Sequence, residues 1–351
     1  MSRVEWKKLD SCLDFEQPTA YLVKSTEYDD SYKIPVLTAG QSLLLGYTNE
    51  TDGIYKASKE NPCIIFDDFT TSFHWIDFDF KVKSSAMKML RPKDEVNFRY
   101  IYYTMKCINF VPGGHQRHWI SKYSQFEVPV PSLSEQNRIV GILDTFTASI
   151  DNLKEQIALR RKQYEYYRDQ LLDLEGKEGV EMRQLETIAE IGTGSSNTQD
   201  ELEKGKYPFF VRSQIVRWKD EYEFDETAVI TSGDGVGVGK VLHYYEGKYA
   251  LHQRAYRIHI IVEDVIPKFL FYFMQKDFYN YIMSNAYAAS VTSVRKPMLL
   301  KYPIPVPSLS EQQRIVNILD TFEASIQNLE AQLALREKQY EYYRNKLLTF
   351  E

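Results

Sequence analysis

One segment of this chain occurs twice, and the repeat indicates how the whole chain is organised. Its first copy is Pro129–Glu175, PVPSLSEQNRIVGILDTFTASIDNLKEQIALRRKQYEYYRDQLLDLE. Its second copy is Pro305–Glu351, PVPSLSEQQRIVNILDTFEASIQNLEAQLALREKQYEYYRNKLLTFE, and 35 of 47 positions are identical at a constant offset of 176 residues. Solenoid repeats have periods of only about 20 to 50 residues. Each repeating unit is therefore predicted to be a whole domain followed by a helix.

Both copies are predicted to be long helices. Ser132 with Glu135, and equivalently Ser308 with Glu311, match the capping box that begins a helix. Large apolar side chains then recur with the 3.5-residue period of a coiled-coil seam. The predicted seam residues are Phe146, Ile150, Leu153, Ile157, Tyr164, Tyr167, Leu171, Phe322, Ile326, Leu329, Leu333, Tyr340, Tyr343 and Leu347.

The repeat also predicts how the helices pair. The simplest partner for each helix is the other copy in the same chain, and a seam between two separate chains is the alternative. Arg160 and Arg336 interrupt the seam at equivalent places, and one polar seam residue can set the register of a coiled coil. A helix break near Asp144 and Asp320 is also open, because a second capping pattern begins at Asp320.

Composition and charge limit the class of protein. The chain has 351 residues, is 43% hydrophobic and carries a net charge of -6, which indicates two or three globular domains. Cys12, Cys63 and Cys107 form no CxxC pair, which disfavours a disulfide scaffold and a zinc site. The amino end has no apolar run of signal-peptide length, and no stretch is long enough to span a membrane. The expected location is the cytoplasm.

The segments 10–125 and 186–300 look unrelated to each other, although the blocks that follow them agree closely. Both alternate short apolar runs with turn residues, as mixed α/β domains do. In the first, strands are predicted at 33–40, 63–69 and 74–82 and a helix at 96–110. In the second, strands are predicted at 206–213, 227–232, 239–251 and 255–262 and a helix at 266–285. Like helices and unlike domains predict one kind of partner for the helices and two different targets for the domains.

Local basic clusters indicate one class of target. Residues 80–122 contain nine Lys or Arg and two acids, and residues 204–219 contain five Lys or Arg and no acid. Such clusters neutralise DNA phosphates in a salt-sensitive and sequence-independent way. A solvated basic surface is the alternative.

Four polar runs are predicted to read base edges: 113–118, 212–214, 252–254 and 289–295. Arg suits guanine, Gln suits adenine, and Ser or Thr suits either; for each residue a loop hydrogen bond or a phosphate contact is the alternative. Lys240 follows a glycine-rich turn that could bring backbone close to DNA. The predicted DNA-binding residues are Lys81, Lys83, Lys88, Arg91, His115, Gln116, Arg117, His118, Arg212, Ser213, Gln214, Arg217, Lys240, His252, Gln253, Arg254, Ser290, Thr292, Ser293 and Arg295.

Catalytic motifs are absent or incomplete. The glycines at 233–239 do not fit GxGxxG, and Val241 replaces the Ser or Thr of a P-loop. No Pro-Pro pair is present, so the Asn/Asp-Pro-Pro-aromatic element of adenine methyltransferases is missing. Asp68, Asp79 and Lys81 loosely match a metal-dependent nuclease site, which we interpret as a chance match. The chain is predicted to be non-catalytic and to bind no metal.

These residues resemble the specificity subunits of type I restriction-modification systems. The resemblance is carried by both copies of PVPSLSEQ-x-RIV-x-ILDTF, by the Tyr-rich helices and by the plan of variable and constant segments. Residues 232–258, SGDGVGVGKVLHYYEGKYALHQRAYRI, are similar to a recurrent target-recognition segment of such subunits. Residues 113–136 carry a weaker signature.

The resemblance implies a function and a set of partners. Each variable segment would be a target recognition domain for one half of a split double-stranded DNA sequence. The helices would form an antiparallel coiled coil that docks two modification subunits, which bind S-adenosylmethionine and methylate adenine N6. Restriction subunits that hydrolyse ATP with Mg would join them, and this chain would bind no cofactor itself. A stand-alone metal-dependent endonuclease and a coiled-coil assembly scaffold are the alternatives.

The expected fold class is α+β, with two mixed α/β recognition domains joined by two long antiparallel helices in a pseudo-two-fold internal repeat. The first recognition domain is predicted at 1–131 and the second at 176–307. The central and carboxyl-terminal helical regions are predicted at 132–175 and 308–351.

Overall fold

The structure is a computed structural model that describes residues 4–38, 42–93, 96–114, 116–285 and 293–350. The chain divides into two compact units. Unit 1 contains Met1–Leu153 and Gln332–Glu351, and unit 2 contains Lys154–Ala331. Each unit therefore joins one variable domain to a segment of both long helices, and the border falls inside the helices. None of the helices in the described ranges has the length and apolar character needed to cross a membrane.

Unit 1 contains a mixed domain and the start of the first long helix. The elements in this part of the chain are β1 Glu5–Lys8, α1 Leu9–Cys12, β2 Leu13–Glu16, β3 Ile34–Leu37, β4 Leu44–Thr48, β5 Cys63–Asp67, β6 Phe73–Ile76, β7 Lys81–Val82, β8 Met87–Pro92, α2 Phe98–Met105, β9 Glu127–Val130 and α3 Leu133–Leu171, which continues into unit 2. The strands form a sheet in the order β2-β8-β5-β6, a smaller sheet β4-β3-β7 and a separate pair β1-β9.

Strand β5 organises the core of unit 1 because both of its faces are buried. Ile64 and Phe66 belong to the hydrophobic core that also contains α2. Cys63 and Ile65, which alternate with them, belong to a second core with Phe80. This is the two-residue alternation of a strand covered on both sides.

Unit 2 contains a larger sheet, in the order β11-β16-β14-β15-β12-β13, and a separate pair β10-β17. All neighbours in the sheet are antiparallel except β12 and β15. The elements are β10 Glu181–Gln184, α4 Leu185–Ile188, β11 Ala189–Thr193, β12 Tyr207–Phe210, β13 Arg217–Lys219, β14 Phe224–Ser232, β15 Leu242–Leu251, β16 Ala255–Ile260, α5 Pro267–Asn285, α6 Lys296–Leu300, β17 Pro303–Val306 and α7 Leu309–Leu348.

The predicted strands and helices of both domains overlap observed elements. The predicted strand 74–82 is wrong in one respect, because it is two short strands, β6 and β7. The sequence interpretation missed β8, a strand whose first four residues are buried. A strand was expected to lead into each long helix, as β9 and β17 do, but their partners β1 and β10 were missed.

The start of each long helix is anchored in the same way to the unit in which that helix begins. The buried Gln136 donates from Nε2 to the Pro131 carbonyl at 2.8 Å, and its Oε1 accepts the Asn97 backbone N–H at 2.9 Å. In unit 2, Gln312 donates to the Pro307 carbonyl at 2.8 Å and accepts the Ile266 N–H at 2.8 Å. A buried amide must be hydrogen-bonded, so this glutamine fixes the entry of each helix.

The capping boxes are only half formed. Ser132 Oγ accepts the Glu135 N–H at 3.4 Å, but the Glu135 carboxylate pairs with Arg138 at 2.6 Å. No helix break occurs near Asp144 or Asp320, because α3 and α7 are continuous through those residues. The Asp144 carboxylate does not cap a helix; it accepts hydrogen bonds from Arg99 and Tyr103 of the domain.

The helices pair within the chain, as predicted, in each unit. In unit 1, Phe146 of α3 stacks on Tyr343 of α7, with ring centroids 5.4 Å apart. In unit 2, Tyr167 stacks on Phe322 at 5.4 Å. Equivalent arginines lie over the two phenylalanine rings, Arg336 in unit 1 and Arg160 in unit 2.

Two contacts in unit 2 define the direction of the pair. Arg161 pairs with Glu330 at 2.5 Å, and Tyr167, further along α3, contacts Phe322, which lies earlier in α7. The two segments are therefore antiparallel. Apart from the exposed Tyr167 and Tyr343, the predicted seam residues are buried or half-buried.

Candidate nucleic-acid interface

Segments that are distant in sequence meet at Asp234 in unit 2. Asp234 Oδ1 accepts a hydrogen bond from Arg212 Nη1 at 2.6 Å, and Oδ2 accepts one from Arg254 Nη1 at 3.2 Å. Ser293 forms an isolated β-bridge with Asp234. The structure thus brings together three of the residues predicted to bind DNA around one acid.

The electrostatics of this cluster keep Asp234 ionised. Burial favours the neutral carboxyl group, but the Arg212 hydrogen bond and the charges of Arg212 and Arg254 outweigh burial and lower the pKa of Asp234. At neutral pH the cluster therefore contains two cations and one anion, and it retains an excess positive charge that attracts nucleic acid.

Asp234 lines two open depressions of about 340 and 280 Å³. Both contain polar and charged side chains among apolar ones, and such side chains suit base edges, which present hydrogen-bond donors and acceptors in the grooves of DNA. Side chains around the first include Thr198, Glu201, Arg212, Arg217 and Val236, and those around the second include Thr193, Gln253, Arg254, Tyr256 and Ser293.

A glycine-rich loop next to Asp234 exposes an apolar side chain and a cation. Gly235 and Gly239 have φ of +83° and +71°, a conformation that favours glycine. Val236, at the centre of this loop, is fully exposed. Lys240 is exposed as well, with Nζ 5.0 Å from the Tyr279 ring centroid. The loop can therefore offer an apolar contact at Val236 and a phosphate-binding charge at Lys240.

The remaining predicted residues of unit 2 have different environments. Those with exposed side chains are Gln214, Arg217, Gln253 and Arg295. Ser213 is half-buried, and its Oγ accepts the Ile215 N–H at 3.1 Å. Ser290 and Thr292 lie outside the described residues.

The burial of His252 contradicts the prediction that this residue contacts DNA. The side chain is 2% exposed, and Nδ1 accepts the Arg254 N–H at 3.0 Å. Burial also lowers the pKa of His252. The imidazole therefore shapes the turn that carries Arg254 and does not present itself to a ligand.

In unit 1 the predicted residues with exposed side chains are Lys83, Arg91, Gln116 and Arg117. Arg91 donates from Nε to the Tyr55 hydroxyl at 2.7 Å, and Lys83 Nζ lies 6.0 Å from the Tyr28 ring centroid. Among the described residues, no hydrogen bond or ion pair joins these cations into one cluster. His115 lies outside the described residues.

Burial also contradicts the predicted DNA contacts of Lys81, Lys88 and His118. Lys81 is 1% exposed and pairs with Glu50 at 2.9 Å. Lys88 is 1% exposed and pairs with Asp68 at 3.2 Å. His118 is fully buried. A buried charge needs a nearby partner of opposite sign, so these lysines are held inside the domain by acids of unit 1.

The structure does not bring the three residues of the nuclease-like pattern together in one site. Asp68 and Lys81 belong to two different buried ion pairs, and Asp79 pairs with Lys56 at 2.5 Å. Across the ranges that the structure describes, no group of three or more His, Cys, Asp or Glu side chains could hold a metal ion.

Sequence reasoning missed Asp234 and Val236. It searched for cations and amides that could contact DNA, whereas Asp234 acts on two cations that lie 22 and 20 residues away. The local signal for an exposed residue at Val236 is the glycine-rich pattern at 233–239, which predicts a turn.

Comparison with known proteins identifies the family to which the chain is similar. Residues 1–160 and 177–335 match the model of the type I restriction modification DNA specificity domain. The chain is 40% identical, over 99% of its length and 94% of the relative, to the specificity subunit of the type I restriction enzymes EcoR124I/EcoR124II from Escherichia coli. It is 27% identical to a putative type I restriction enzyme specificity subunit of Haemophilus influenzae, over 99% and 96% of the two chains.

A solved structure shares the fold. The S subunit of a type I restriction-modification system from M. genitalium matches with a TM-score of 0.71 at 17% identity, covering 100% of this chain and 97% of that one. Because two copies of the family model cover most of the sequence and a 40% identical relative aligns along nearly its whole length, this chain belongs to the specificity subunits of type I restriction-modification systems.

Proposed function

We propose that the chain reads a split double-stranded DNA sequence, with the domain of unit 1 recognising one half and the domain of unit 2 the other. The observation that carries this proposal is the contrast between unlike domains and nearly identical helices. The Asp234 cluster supports it in unit 2, because it combines an excess positive charge with donors suited to base edges. In this proposal the chain itself performs no chemistry.

The repeat also supports two identical partners. Leu159 and Tyr166 of α3 are 56% and 61% exposed, and their repeat equivalents Leu335 and Tyr342 of α7 are each 59% exposed. Lys162 and Lys338, one turn away, are exposed too. We call Leu159, Lys162 and Tyr166, and equivalently Leu335, Lys338 and Tyr342, the docking stripes.

The docking stripes lie outside the seam, so pairing of the helices does not explain why the two copies carry the same residues. Large exposed Leu and Tyr side chains at i and i+7 form one helix face that a partner can cover. Two stripes of the same composition fit two copies of one partner. We assign them to two modification subunits that bind S-adenosylmethionine and methylate adenine N6, and restriction subunits using ATP and Mg would join this complex.

A domain exchange tests the proposed reading of DNA. The full chain, with residues 180–300 replaced by the equivalent segment of another specificity subunit, is assembled with its modification subunits. Long-read sequencing then records the methylated sequence in cells. We expect one half of that sequence to change and the other to persist. A change in both halves, or in neither, would contradict one domain per half.

Stoichiometry tests the docking stripes. The double variant Leu159→Ala/Tyr166→Ala should leave one modification subunit bound instead of two, as measured by light scattering of the purified complex. Changing Leu335 and Tyr342 as well should abolish assembly. Glu155→Ala is the matched control, because Glu155 is exposed and has a different residue, Ala331, at its repeat position. Two bound subunits in the first variant would contradict the assignment.

A further inference from the structure

We infer that Asp234 is a positioning residue that holds Arg212 and Arg254 ready to read guanine, an inference that rests on the proposed function of unit 2. Each carboxylate oxygen binds one arginine: Oδ1 takes Arg212 and Oδ2 takes Arg254. Asp234 acts through these arginines, because each of its oxygens already accepts a hydrogen bond from one guanidinium group.

The anchor is fixed by the backbone around it. Gly233 donates its N–H to the Arg254 carbonyl at 2.9 Å, and its own carbonyl accepts the Val294 N–H at 2.8 Å. The buried Ser232 hydroxyl donates to the Asp234 carbonyl at 2.7 Å. The end of β14 is therefore tied to two other segments, which places the carboxylate in a set position.

The arginines keep donors for a ligand. Each guanidinium has five N–H donors, and the bond to Asp234 uses one terminal nitrogen of each. Among the described residues, neither Arg212 nor Arg254 makes a further side-chain hydrogen bond. The Arg254 side chain is 61% exposed and that of Arg212 is 38% exposed, so both can be approached from solvent.

The chemistry of this arrangement favours guanine over other bases. An arginine donates two hydrogen bonds to guanine O6 and N7, whereas an aspartate that reads DNA accepts from cytosine N4. Because each Asp234 oxygen already accepts from a positively charged arginine, the free donors of Arg212 and Arg254 are the main groups that the cluster presents to a base. A long side chain loses conformational freedom when it binds, and an arginine already held by a carboxylate loses less.

The assembled methyltransferase complex tests this role. Asp234→Ala should relax the half of the methylated sequence that the unit 2 domain reads, so that one or two G·C positions accept other base pairs. Discrimination at those positions should fall on the order of ten- to a hundredfold, the range of one bidentate contact. The other half should be unchanged. Asp234→Asn, which keeps the shape but not the charge, should give an intermediate loss.

Matched variants make the test decisive. Asp225→Ala changes an exposed acid near the start of β14, the strand that precedes Asp234, and should leave the sequence unaltered. Arg212→Lys and Arg254→Lys keep the positive charge and lose the bidentate donor pair, so each should relax a guanine position on its own. These mild variants also give a readout if Asp234→Ala fails to assemble.

Two results would overturn the inference and leave the proposed function standing. One is an unchanged methylated sequence in Asp234→Ala, when exchange of residues 180–300 still alters one half. The other is relaxation at A·T positions only. If Asp234→Ala altered both halves, the division of reading between the two domains would fail, and the inference with it.

Discussion

The buried ion pair between Lys88 and Asp68 offers a sharp test, because the sequence predicts a DNA contact at Lys88 and the structure does not. Both side chains are 1% exposed, and their charged atoms are 3.2 Å apart. Lys88 Nζ also donates to Gln17 Oε1 at 3.1 Å. Asp68 Oδ1 accepts the Trp119 N–H at 2.8 Å. Lys88→Met therefore leaves a buried carboxylate without its counter-charge.

Removing one partner of a buried ion pair costs roughly 3 to 5 kcal/mol, because the remaining charge is left in a medium that solvates it poorly. We expect Lys88→Met to destabilise unit 1 by about that amount. Asp68→Asn in the same chain removes the stranded charge and keeps an acceptor for the Trp119 N–H, so the double variant should recover much of the loss. Lys83→Met, at an exposed lysine, should change stability by less than about 0.5 kcal/mol.

Urea unfolding followed by tryptophan fluorescence can report on unit 1 alone. Of the four tryptophans, Trp6, Trp75 and Trp119 lie in unit 1 and Trp218 in unit 2. The series is therefore made in a Trp218→Phe background. A loss below about 1 kcal/mol in Lys88→Met, together with weaker and less salt-sensitive DNA binding by the assembled complex, would refute the structural role and restore the DNA contact.

Three further predictions concern unit 2 and the glycines. Tyr272→Phe removes a hydroxyl whose single proton lies between the carboxylates of Asp320 and Glu323 in α7, at 2.5 and 3.0 Å. The change should cost about 1.5 to 3 kcal/mol in urea unfolding followed by Trp218 fluorescence. Burial lowers the pKa of His243, so protons bind the unfolded chain better, and stability should fall as pH drops below about 6.5. His243→Phe should flatten that fall between about pH 7.5 and 5.5, and an unchanged slope would contradict it. Gly194→Ala would place a Cβ 1.8 Å from the Leu251 carbonyl oxygen and should cost about 3 kcal/mol, whereas Gly113→Ala, which meets open space, should be tolerated.

Local patterns predicted much of the fold. The heptad period of the repeated blocks predicted two long helices and their pairing, because a helix must cover a continuous apolar stripe. A short apolar run predicted β5, whose five residues are all buried. Strand β8 was missed although its first four residues are buried, because its pairing depends on β2 and β5, which lie far away in sequence.

The candidate site was predicted less completely than the fold, because the sequence alone does not show which basic side chains are buried. The same residue type, lysine, is buried at position 88 and exposed at 83. The difference lies in whether an acid from another strand or loop approaches, as Asp68 does at Lys88. Local charge counts treat both lysines alike.

The repeat and the heptad period are enough to predict the plan of this protein: two unlike domains, two nearly identical helices and a seam between those helices. Periodicity and repetition are local or exact properties, so they can be recognised without coordinates. Which cations remain at the surface, and which acid binds them, follows from the three-dimensional fold. Burial and ion pairing depend on residues brought together across the fold, as Asp234, Arg212 and Arg254 are.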